Sequence, residues 1–165
     1  MNILVSGSTG FIGRHLADGL KGTLFTPSHR DLDLLDTKAV ANYIDEHAIT
    51  HAVHCAFLGR GEDDPQDIVY KNTLMFLNLA SRIDKLIYLG SGAEYCNHKD
   101  LIELKEDDFP HAVCNQPYGL SKQLIASMPI ENAINLRLFG VYGEGEDIHS
   151  RFISNAIVKN LYHLP

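Results

Sequence analysis

Three evenly spaced glycines follow the first apolar run of the chain, and this arrangement constrains the fold more than any other feature. Residues 2–5 are mostly apolar, as in a buried strand, and Gly7, Gly10 and Gly13 come shortly after them. Apolar side chains then recur at every fourth position over residues 11–22, which is the spacing of one helix face. The segment therefore predicts a strand, a glycine-rich turn and a helix in immediate succession.

A turn of this kind can bring a phosphate against the main chain. The first N–H groups of a helix have no partners within the helix, and they point outward together with the positive end of the helix dipole. Glycine lets an anion approach because no Cβ intervenes, and it tolerates the dihedral angles of the turn. We therefore expect the pyrophosphate of a dinucleotide to be held by Gly7, Ser8, Thr9, Gly10, Phe11, Ile12 and Gly13. The alternative is a tight turn that binds nothing.

The rest of the chain repeats the alternation of strand and helix. Apolar runs predict strands at 2–5, 23–27, 50–57, 85–92 and 133–143, with helices at 11–22, 36–49, 70–84, 118–128 and 149–162. Polar segments at 59–67 and 93–116 are expected to be loops. Near-continuous apolar strands are typical of a parallel sheet covered by helices on both faces. The expected fold class is therefore α/β, a Rossmann-type doubly wound parallel sheet, in one domain over residues 1–165.

Composition argues against several classes of partner. The net charge of -7 disfavours a nucleic-acid surface, because such surfaces neutralise phosphates with Lys and Arg. No apolar run reaches the roughly 18 residues of a membrane helix, and a secretion signal is not expected because the first residues lack a basic region followed by an apolar stretch. Cys55, Cys96 and Cys114 are scattered and odd in number, so we expect reduced thiols in a cytoplasmic protein. The histidines fit no metal pattern, and no metal site is expected.

The residues after the second strand bear on which dinucleotide would bind. NAD-type sites usually place a carboxylate there, which accepts hydrogen bonds from the ribose 2′-hydroxyl. This chain has Arg30 in that region, and a guanidinium suits the 2′-phosphate of NADP because it is permanently charged and forked. The alternative is that Arg30 is a surface cation and that Asp31 or Asp33 binds the ribose of NAD. The sequence favours NADP.

Two side chains of the predicted helix 118–128 can transfer a proton together. Tyr118 and Lys122 are four residues apart and so lie on one helix face. A free phenol titrates at about pH 10, and a neighbouring ammonium group stabilises the phenolate, which brings proton transfer closer to neutral pH. Such pairs also arise by chance, but this one occurs in a chain that has the glycine turn. Ser91 ends the fourth strand, at the sheet edge where ligands of such folds bind.

Motifs in a fixed order extend from residue 2 to the end of the chain. SGSTGFIGRHL has the form of a dinucleotide glycine loop, HRDLDLLD of an adenosine segment, and HCAF of His-x-Ala-Ala. LGSGAEY has the form of a catalytic serine segment, PYGLSK of Tyr-x-x-x-Lys, and LRLFGVYGEGE of Arg-x-x-Asn-Val-Tyr-Gly-Pro-Gly. In these segments the chain resembles the extended short-chain dehydrogenase/reductases, the NAD-dependent epimerase/dehydratase family of nucleotide-sugar enzymes. Within that family it is most similar to the ketoreductases and GDP-fucose synthases.

The resemblance implies roles for individual residues. Tyr118 would be the acid/base, Lys122 would bind the nicotinamide ribose and tune the tyrosine, and Ser91 would polarise the sugar oxygen. Hydride would pass between NADP, or NAD, and one carbon, C4, of a nucleotide-activated sugar. Cofactor contacts beyond the glycine loop would be Arg30, Asp33, Leu34, Cys55, Ala56, Phe57, Asn72, Tyr118 and Lys122. A homodimer formed through helices 72–84 and 118–128 is a further expectation.

Departures from the family pattern narrow the expected reaction. The family's 4,6-dehydratases have an Asp-Glu pair where this chain has Gly92 and Ala93, so dehydration is not expected. GDP-fucose synthases use a cysteine at the position of Ala93, so double epimerisation is not expected either. A 4-ketoreductase or 4-epimerase remains, with Phe57 where a small alanine is common.

Family members are about twice as long as a single domain. The chain is therefore either the N-terminal part of a longer protein or a stand-alone cofactor domain. The alternatives to a sugar enzyme are a domain that binds NAD(P) without catalysis and a reductase of a non-sugar ketone.

Overall fold

The computed structural model describes residues 1–59, 64–96, 103, 105–106, 109 and 113–164. Parts of the two predicted polar loops, residues 60–63 and most of 97–112, lie outside the described residues. The strands are β1 (Asn2–Ser6), β2 (Thr23–Phe25), β3 (His51–His54), β4 (Lys85–Ser91) and β5 (Ala133–Leu138). The helices are α1 (Phe11–Gly19), α2 (Thr37–Glu46), α3 (Pro65–Ala80), α4 (Pro117–Ala126) and α5 (Phe152–Leu161), with a short 3-10 helix at Gly92–Tyr95.

Within the described residues the strands form one five-stranded sheet in the order β2-β1-β3-β4-β5. Every neighbouring pair is parallel, which confirms the predicted α/β class. The chain goes from β1 outward to β2 on one side and then returns to β3 on the other side of β1. Folds of this kind bind ligands in the crevice outside the carboxyl ends of the strands, where the strand order reverses.

The core is built from strand and helix residues whose spacing the sequence already shows. Leu4 and Leu86 on the strands, and Val40 and Leu79 on the helices, are completely buried. They belong to a single apolar cluster within the described residues. Helix α2 begins where its cap predicts, because the Asp36 side chain accepts hydrogen bonds from the N–H groups of residues 38 and 39. The strands whose ends form the site described below are therefore packed on one common core.

The strands end earlier than the apolar runs in the sequence. β3 ends at His54 although the prediction extended to residue 57, and β5 ends at Leu138 although the prediction extended to 143. The apolar residues beyond these ends leave the sheet, and Phe57, Phe139 and Tyr142 are exposed to solvent. These apolar residues therefore lie at the carboxyl edge of the sheet and do not lengthen the strands.

Helix α3 starts at Pro65, five residues before the predicted start at residue 70. Proline is well tolerated in the first turn of a helix, where its missing N–H would have no partner. Of the helices in the described part of the chain, none is both long and apolar enough to span a bilayer.

Candidate active site

The glycine loop, residues 7–13, runs from the end of β1 into the first turn of α1 at the carboxyl edge of the sheet. Gly7 has φ +70°, and a Cβ there would lie 2.6 Å from the main-chain nitrogen of Ala56. A Cβ on Gly13 would overlap the carbonyl oxygen of Gly7 and lie 2.7 Å from its carbonyl carbon. These two positions require glycine because the loop packs against main chain on both sides.

The N-terminus of α1 is free to receive an anion. Its N-cap is Gly10, which offers no side chain to cap the helix, and the first turn contains no acidic residue. Gly10 is exposed, and an added Cβ would meet only the carbonyl oxygen of Gly7, at 3.3 Å. Bare main chain, unpaired N–H donors and the helix dipole fit the pyrophosphate of a dinucleotide. Residues 8–12 supply this surface.

The segment after β2 leaves its arginine available and engages its carboxylates locally. Asp31 accepts hydrogen bonds from the hydroxyl and the main-chain N–H of Ser28, at 2.6 and 2.9 Å, and these bonds lower the pKa of Asp31. Asp33 accepts from the N–H of Leu35 at 2.9 Å. Arg30 is exposed in the same turn. Leu34, a predicted cofactor contact, is buried in the core, and its contact with a cofactor stays a prediction.

The predicted proton-transfer pair lies at the start of α4, beside the loop that follows β3. The ring of Phe57 lies 5.5 Å from the ring of Tyr118, centroid to centroid. The ammonium nitrogen of Lys122 is 5.8 Å from the Tyr118 ring centroid and 5.6 Å from that of Phe57. Tyr118 is half-buried, whereas Lys122 is buried. The structure thus brings Phe57, Tyr118 and Lys122 into one cluster.

Burial controls the ionisation of the groups around Lys122. Its Nζ donates a hydrogen bond to the carbonyl oxygen of Leu89 at 2.6 Å. Burial lowers the pKa of Lys122 to about 8, and this shift is opposed by the negative charge of Glu94. Burial also raises the pKa of the Cys55 thiol to about 11, so this side chain is uncharged at neutral pH. Lys122 remains mostly charged at neutral pH.

His54 lies next to this cluster, at the end of β3. Its Nδ1 is hydrogen-bonded to the hydroxyl of Ser6, 2.7 Å away at the end of β1. Burial, and to a smaller extent the charge of Lys122, lower the pKa of His54 to about 3. The imidazole is therefore neutral at physiological pH and links two strand ends.

Asn72, another predicted cofactor contact, is buried in α3 with its amide engaged by protein groups. Its Oδ1 accepts from the N–H of Leu58 at 2.7 Å, and its Nδ2 donates to the carbonyl oxygen of Leu58 at 2.9 Å. Nδ2 also lies 3.2 Å from the hydroxyl of Ser121 on α4. These bonds hold the loop that carries Phe57 against both helices, so Asn72 fixes the wall of the site.

Ser91 begins a short segment, residues 91–95, that we call the serine turn. The Ser91 hydroxyl accepts a hydrogen bond from the N–H of Ala93 at 3.1 Å, while the Glu94 carboxylate accepts from the N–H of Ser91 at 2.9 Å. The carbonyl oxygen of Ala93 lies 3.0 Å from the point where a Cβ on Gly119 would be. The serine turn therefore packs directly on the first turn of α4, next to Tyr118.

Sequence reasoning missed the side chains that hold the serine turn on β5. Glu94 is completely buried, and its carboxylate accepts from Nε of Arg137 at 2.8 Å and from Nδ2 of Asn135 at 3.0 Å. Burial alone would lower the pKa of Arg137, but the hydrogen bond and charge of Glu94 outweigh it and raise the pKa. A signal was present, since the Ser-x-x-Glu pattern of residues 91–94 is the pattern of a capping box.

The expectation of three reduced cysteines is wrong for two of them. Cys96 and Cys114 form a disulfide, with their Cα atoms 5.1 Å apart, and Cys55 is free. The bond joins the residue directly after the serine turn to the segment that leads into α4. The two cysteines are 18 residues apart in sequence, so their proximity depends on the path of the intervening chain and not on local spacing.

Curated relatives of the chain are nucleotide-sugar enzymes. It is 27% identical over 188 residues to the GDP-L-colitose synthase of Yersinia pseudotuberculosis, with 96% of this chain and 60% of that enzyme covered. It is 30% identical over 186 residues to the GDP-L-fucose synthase of Azorhizobium caulinodans, with 97% of this chain and 59% of that enzyme covered. The chain thus spans about three-fifths of the length of these relatives.

Solved structures share the fold over nearly the whole chain. A GDP-D-glycero-L-gluco-heptose synthase from Campylobacter jejuni, determined in the presence of NADPH, aligns with a TM-score of 0.79 and 25% identity, covering 96% of this chain and 54% of that one. A GDP-mannoheptose C4 reductase from the same organism, with NADP bound, aligns with a TM-score of 0.75 and 25% identity, covering 88% and 53%. The model of the NAD dependent epimerase/dehydratase family matches residues 3–163. The chain belongs to the NAD-dependent epimerase/dehydratase family.

Proposed function

We propose that the chain is the cofactor-binding and catalytic part of an NADP(H)-dependent oxidoreductase or epimerase that acts at one carbon, C4, of a nucleotide-activated sugar. The cluster of Tyr118 and Lys122 on α4, packed beside the serine turn, is the observation that carries this proposal. Support comes from the names of the relatives, which are nucleotide-sugar synthases and reductases. All of residues 1–165 would act as one domain around a single core.

The proposed cofactor site follows from the free main chain at the start of α1. The glycine loop would bind the pyrophosphate, and Cys55 and Ala56 would line the cleft where β3 ends beside β1. Arg30 would bind the 2′-phosphate of NADP, since Asp31 and Asp33 are engaged by their own turns. Support for NADP over NAD also comes from the solved relatives that contain it.

The proposed mechanism divides the work between three side chains. Nicotinamide, when bound, supplies or removes the hydride at the sugar carbon. In the direction of reduction, the Tyr118 hydroxyl gives its proton to the carbonyl oxygen, so that a ketone becomes an alcohol. Ser91 donates a hydrogen bond to the same oxygen and stabilises the charge that develops on it. Lys122 supplies a positive charge beside the phenol, which favours the phenolate left after the proton is transferred.

The test begins with binding and continues with turnover. NADPH and NADH are titrated against the protein by nicotinamide fluorescence, and we expect both to bind, NADPH more tightly. NADPH oxidation is then followed with GDP- and dTDP-linked 4-keto sugars, for wild type and Tyr118→Phe. We expect Tyr118→Phe to lose about 10²- to 10⁴-fold in rate with nearly unchanged NADPH affinity. Tyr162→Phe, an exposed tyrosine beyond α5, is the matched control.

Failure to bind either nucleotide would refute the proposal, and a Tyr118→Phe variant with full activity would refute the role of the phenol. A second candidate is a domain that binds NAD(P) without catalysis by itself; the chain covers 53–60% of the relatives described above. Tight NADPH binding without turnover of any 4-keto sugar would support this candidate. Turnover of a non-sugar ketone alone would replace the sugar substrate.

Dimerisation through α3 and α4 is also part of the proposal. These helices pack against one another through their inner faces, joined by the bond between Asn72 and Ser121. Their outer faces expose the apolar side chains Tyr70, Leu77 and Leu124. Light scattering should give twice the monomer mass, and Leu77→Glu should return the monomer.

A further inference from the structure

Glu94 is a buried carboxylate to which the proposed mechanism gives no role. It is a carboxylate with no exposed surface, three residues after Ser91. We propose that Glu94 is a positioning residue, which orients the Ser91 hydroxyl as a hydrogen-bond donor toward the reacting oxygen. This inference rests on the proposed function, because it requires Ser91 to face the substrate.

The hydrogen bonds of the serine turn determine which way the hydroxyl can act. Glu94 Oε1 accepts from the N–H of Ser91 at 2.9 Å, and Ser91 Oγ accepts from the N–H of Ala93 at 3.1 Å. This reciprocal pair is a capping box, and it fixes the Ser91 side chain relative to its own main chain. A hydroxyl has one hydrogen and two lone pairs. Because Ala93 occupies a lone pair, the hydrogen remains available for an outside acceptor.

The carboxylate is itself fixed by the neighbouring strand. Glu94 Oε2 accepts from Nε of Arg137 at 2.8 Å, and Nδ2 of Asn135 donates to both carboxylate oxygens, at 3.0 and 3.3 Å. The guanidinium of Arg137 lies over two aromatic rings, 5.4 Å from the centroid of Tyr95 and 4.8 Å from that of Phe109. The Arg137 side chain is therefore held in place, and Glu94 connects this side chain of β5 to the main chain of Ser91.

Gly90 makes room for this arrangement. A Cβ at Gly90 would overlap the side chains of both Asn135 and Glu94. The glycine before the serine is thus required by the buried carboxylate, not by the conformation of its own main chain, since its φ is not in the left-handed region. The segment LGSGAEY is consistent with a turn built around Glu94.

Net stability alone does not account for such a pair. Replacing a buried ion pair by well-packed apolar side chains is often neutral or stabilising, whereas removing one partner leaves an unpaired charge. The hydrogen bond that the Glu94 carboxylate accepts from the Ser91 N–H is what an apolar replacement could not reproduce. The distinction can be measured with a variant that lacks both charges.

The experiment compares Glu94→Gln, the double variant Glu94→Leu with Arg137→Met, and Glu106→Gln as the matched control. Gln keeps an oxygen acceptor for the Ser91 N–H but places an amide NH2 where the carboxylate accepted from Arg137 Nε. Asn135 Oδ1, which has no donor among the described residues, can accept from this NH2 once the Asn135 amide is reversed. The double variant leaves no unpaired charge and should fold. Glu106 also pairs with Arg137, at 3.3 Å, but is exposed and has no bond to the serine turn.

The experiment has two readouts, the side-chain conformation of Ser91 and the rate of the reaction. NMR of serine-labelled protein measures the rotamer of Ser91, and NADPH oxidation with a GDP-linked 4-keto sugar measures turnover alongside NADPH affinity. We expect one Ser91 rotamer for both Glu94→Gln and Glu106→Gln, and near wild-type turnover for the control Glu106→Gln. For the folded double variant we expect averaged rotamers, unchanged NADPH affinity and a turnover lower by about 100-fold.

A single Ser91 rotamer in the double variant would overturn the inference, and so would equal averaging in Glu94→Gln. The NMR readout does not depend on activity. If the wild type bound no NADPH and reduced no sugar, the proposed function would fail while the rotamers still decided whether Glu94 positions Ser91.

Discussion

The glycine loop and the serine turn both lie at the carboxyl edge of the sheet, but different parts of the chain hold them in place. The glycine loop is held by main chain, since Gly7 packs on Ala56 and Gly13 packs on Gly7. The serine turn is held by side chains, through the buried carboxylate of Glu94 and the disulfide that follows it. A surface of bare main chain suits an anion that must come close, whereas a side-chain network can orient one hydroxyl.

The largest expected effect tests the main-chain half. In Gly13→Ala the new methyl group would overlap the Gly7 carbonyl, which is main chain and cannot move aside. We expect a loss of about 3 kcal/mol in the free energy of unfolding, together with the loss of NADPH binding. Gly19→Ala is the control, because it ends the same helix and its Cβ would meet nothing within 4 Å. Urea unfolding and fluorescence titration would contradict the comparison if both variants behaved alike.

The disulfide tests the side-chain half. Closing a loop of 18 residues stabilises a protein by about 3 kcal/mol in the chain-entropy description. Reduction by a dithiol should therefore lower the free energy of unfolding by about this amount, and Cys96→Ser with Cys114→Ser should match the reduced protein. Cys55→Ser should retain the full difference between oxidised and reduced forms. Alkylation that finds three free thiols in the native protein would show that the bond does not form.

His54 lies between the two halves and gives the comparison a pH dependence. Its pKa is about 3 in the folded protein, against 6.5 for an unperturbed imidazole. Below pH 6.5 the unfolded chain therefore binds a proton that the folded chain does not, so stability falls as the pH falls toward 3. At pH 5 the loss should be about 2 kcal/mol relative to neutral pH.

Urea unfolding of wild type, His54→Asn and the exposed control His29→Asn at pH 7.5 and pH 5 checks this expectation. The acid loss should shrink by most of that amount in His54→Asn and persist in His29→Asn. An identical acid loss in wild type and His54→Asn would assign the pH dependence to other groups.

The smallest expected effect concerns the adenosine end of the cleft. Arg30→Ala should weaken NADPH binding by about tenfold, because a charge-assisted bond to the 2′-phosphate is lost. NADH binding should change little, and added salt should reduce the difference since the site is exposed. Lys38→Ala, an exposed cation on α2, is the control. Equal losses for NADPH and NADH would show that Arg30 does not bind the 2′-phosphate.

The glycine loop was easier to predict from the sequence than the contacts of the serine turn. A main-chain surface appears in the sequence as glycines at short spacing, and the Tyr118–Lys122 pair appears as a helix repeat, so the loop and α4 were predicted with their positions. The fold was also predictable, because strand and helix alternate and the strands are apolar. These signals are local.

The contacts that were missed are not local. Glu94 and Arg137 are 43 residues apart, and the pairing of β4 with β5 brings them together. The cysteines of the disulfide meet only after the chain returns to α4. The predicted β3 and β5 were too long because Phe57 and Phe139 are apolar, as strand residues are, although they lie beyond the ends of the sheet. Long-range side-chain partners need the three-dimensional fold, even where a capping-box pattern indicates one of them.

A structure of the protein determined with NADPH would test the central claim most directly. We expect the pyrophosphate on the main-chain N–H groups at the start of α1 and the nicotinamide ring in contact with the phenol of Tyr118. A nucleotide bound away from the glycine loop, or a Tyr118 side chain turned away from the nicotinamide, would contradict the assignment of the whole site.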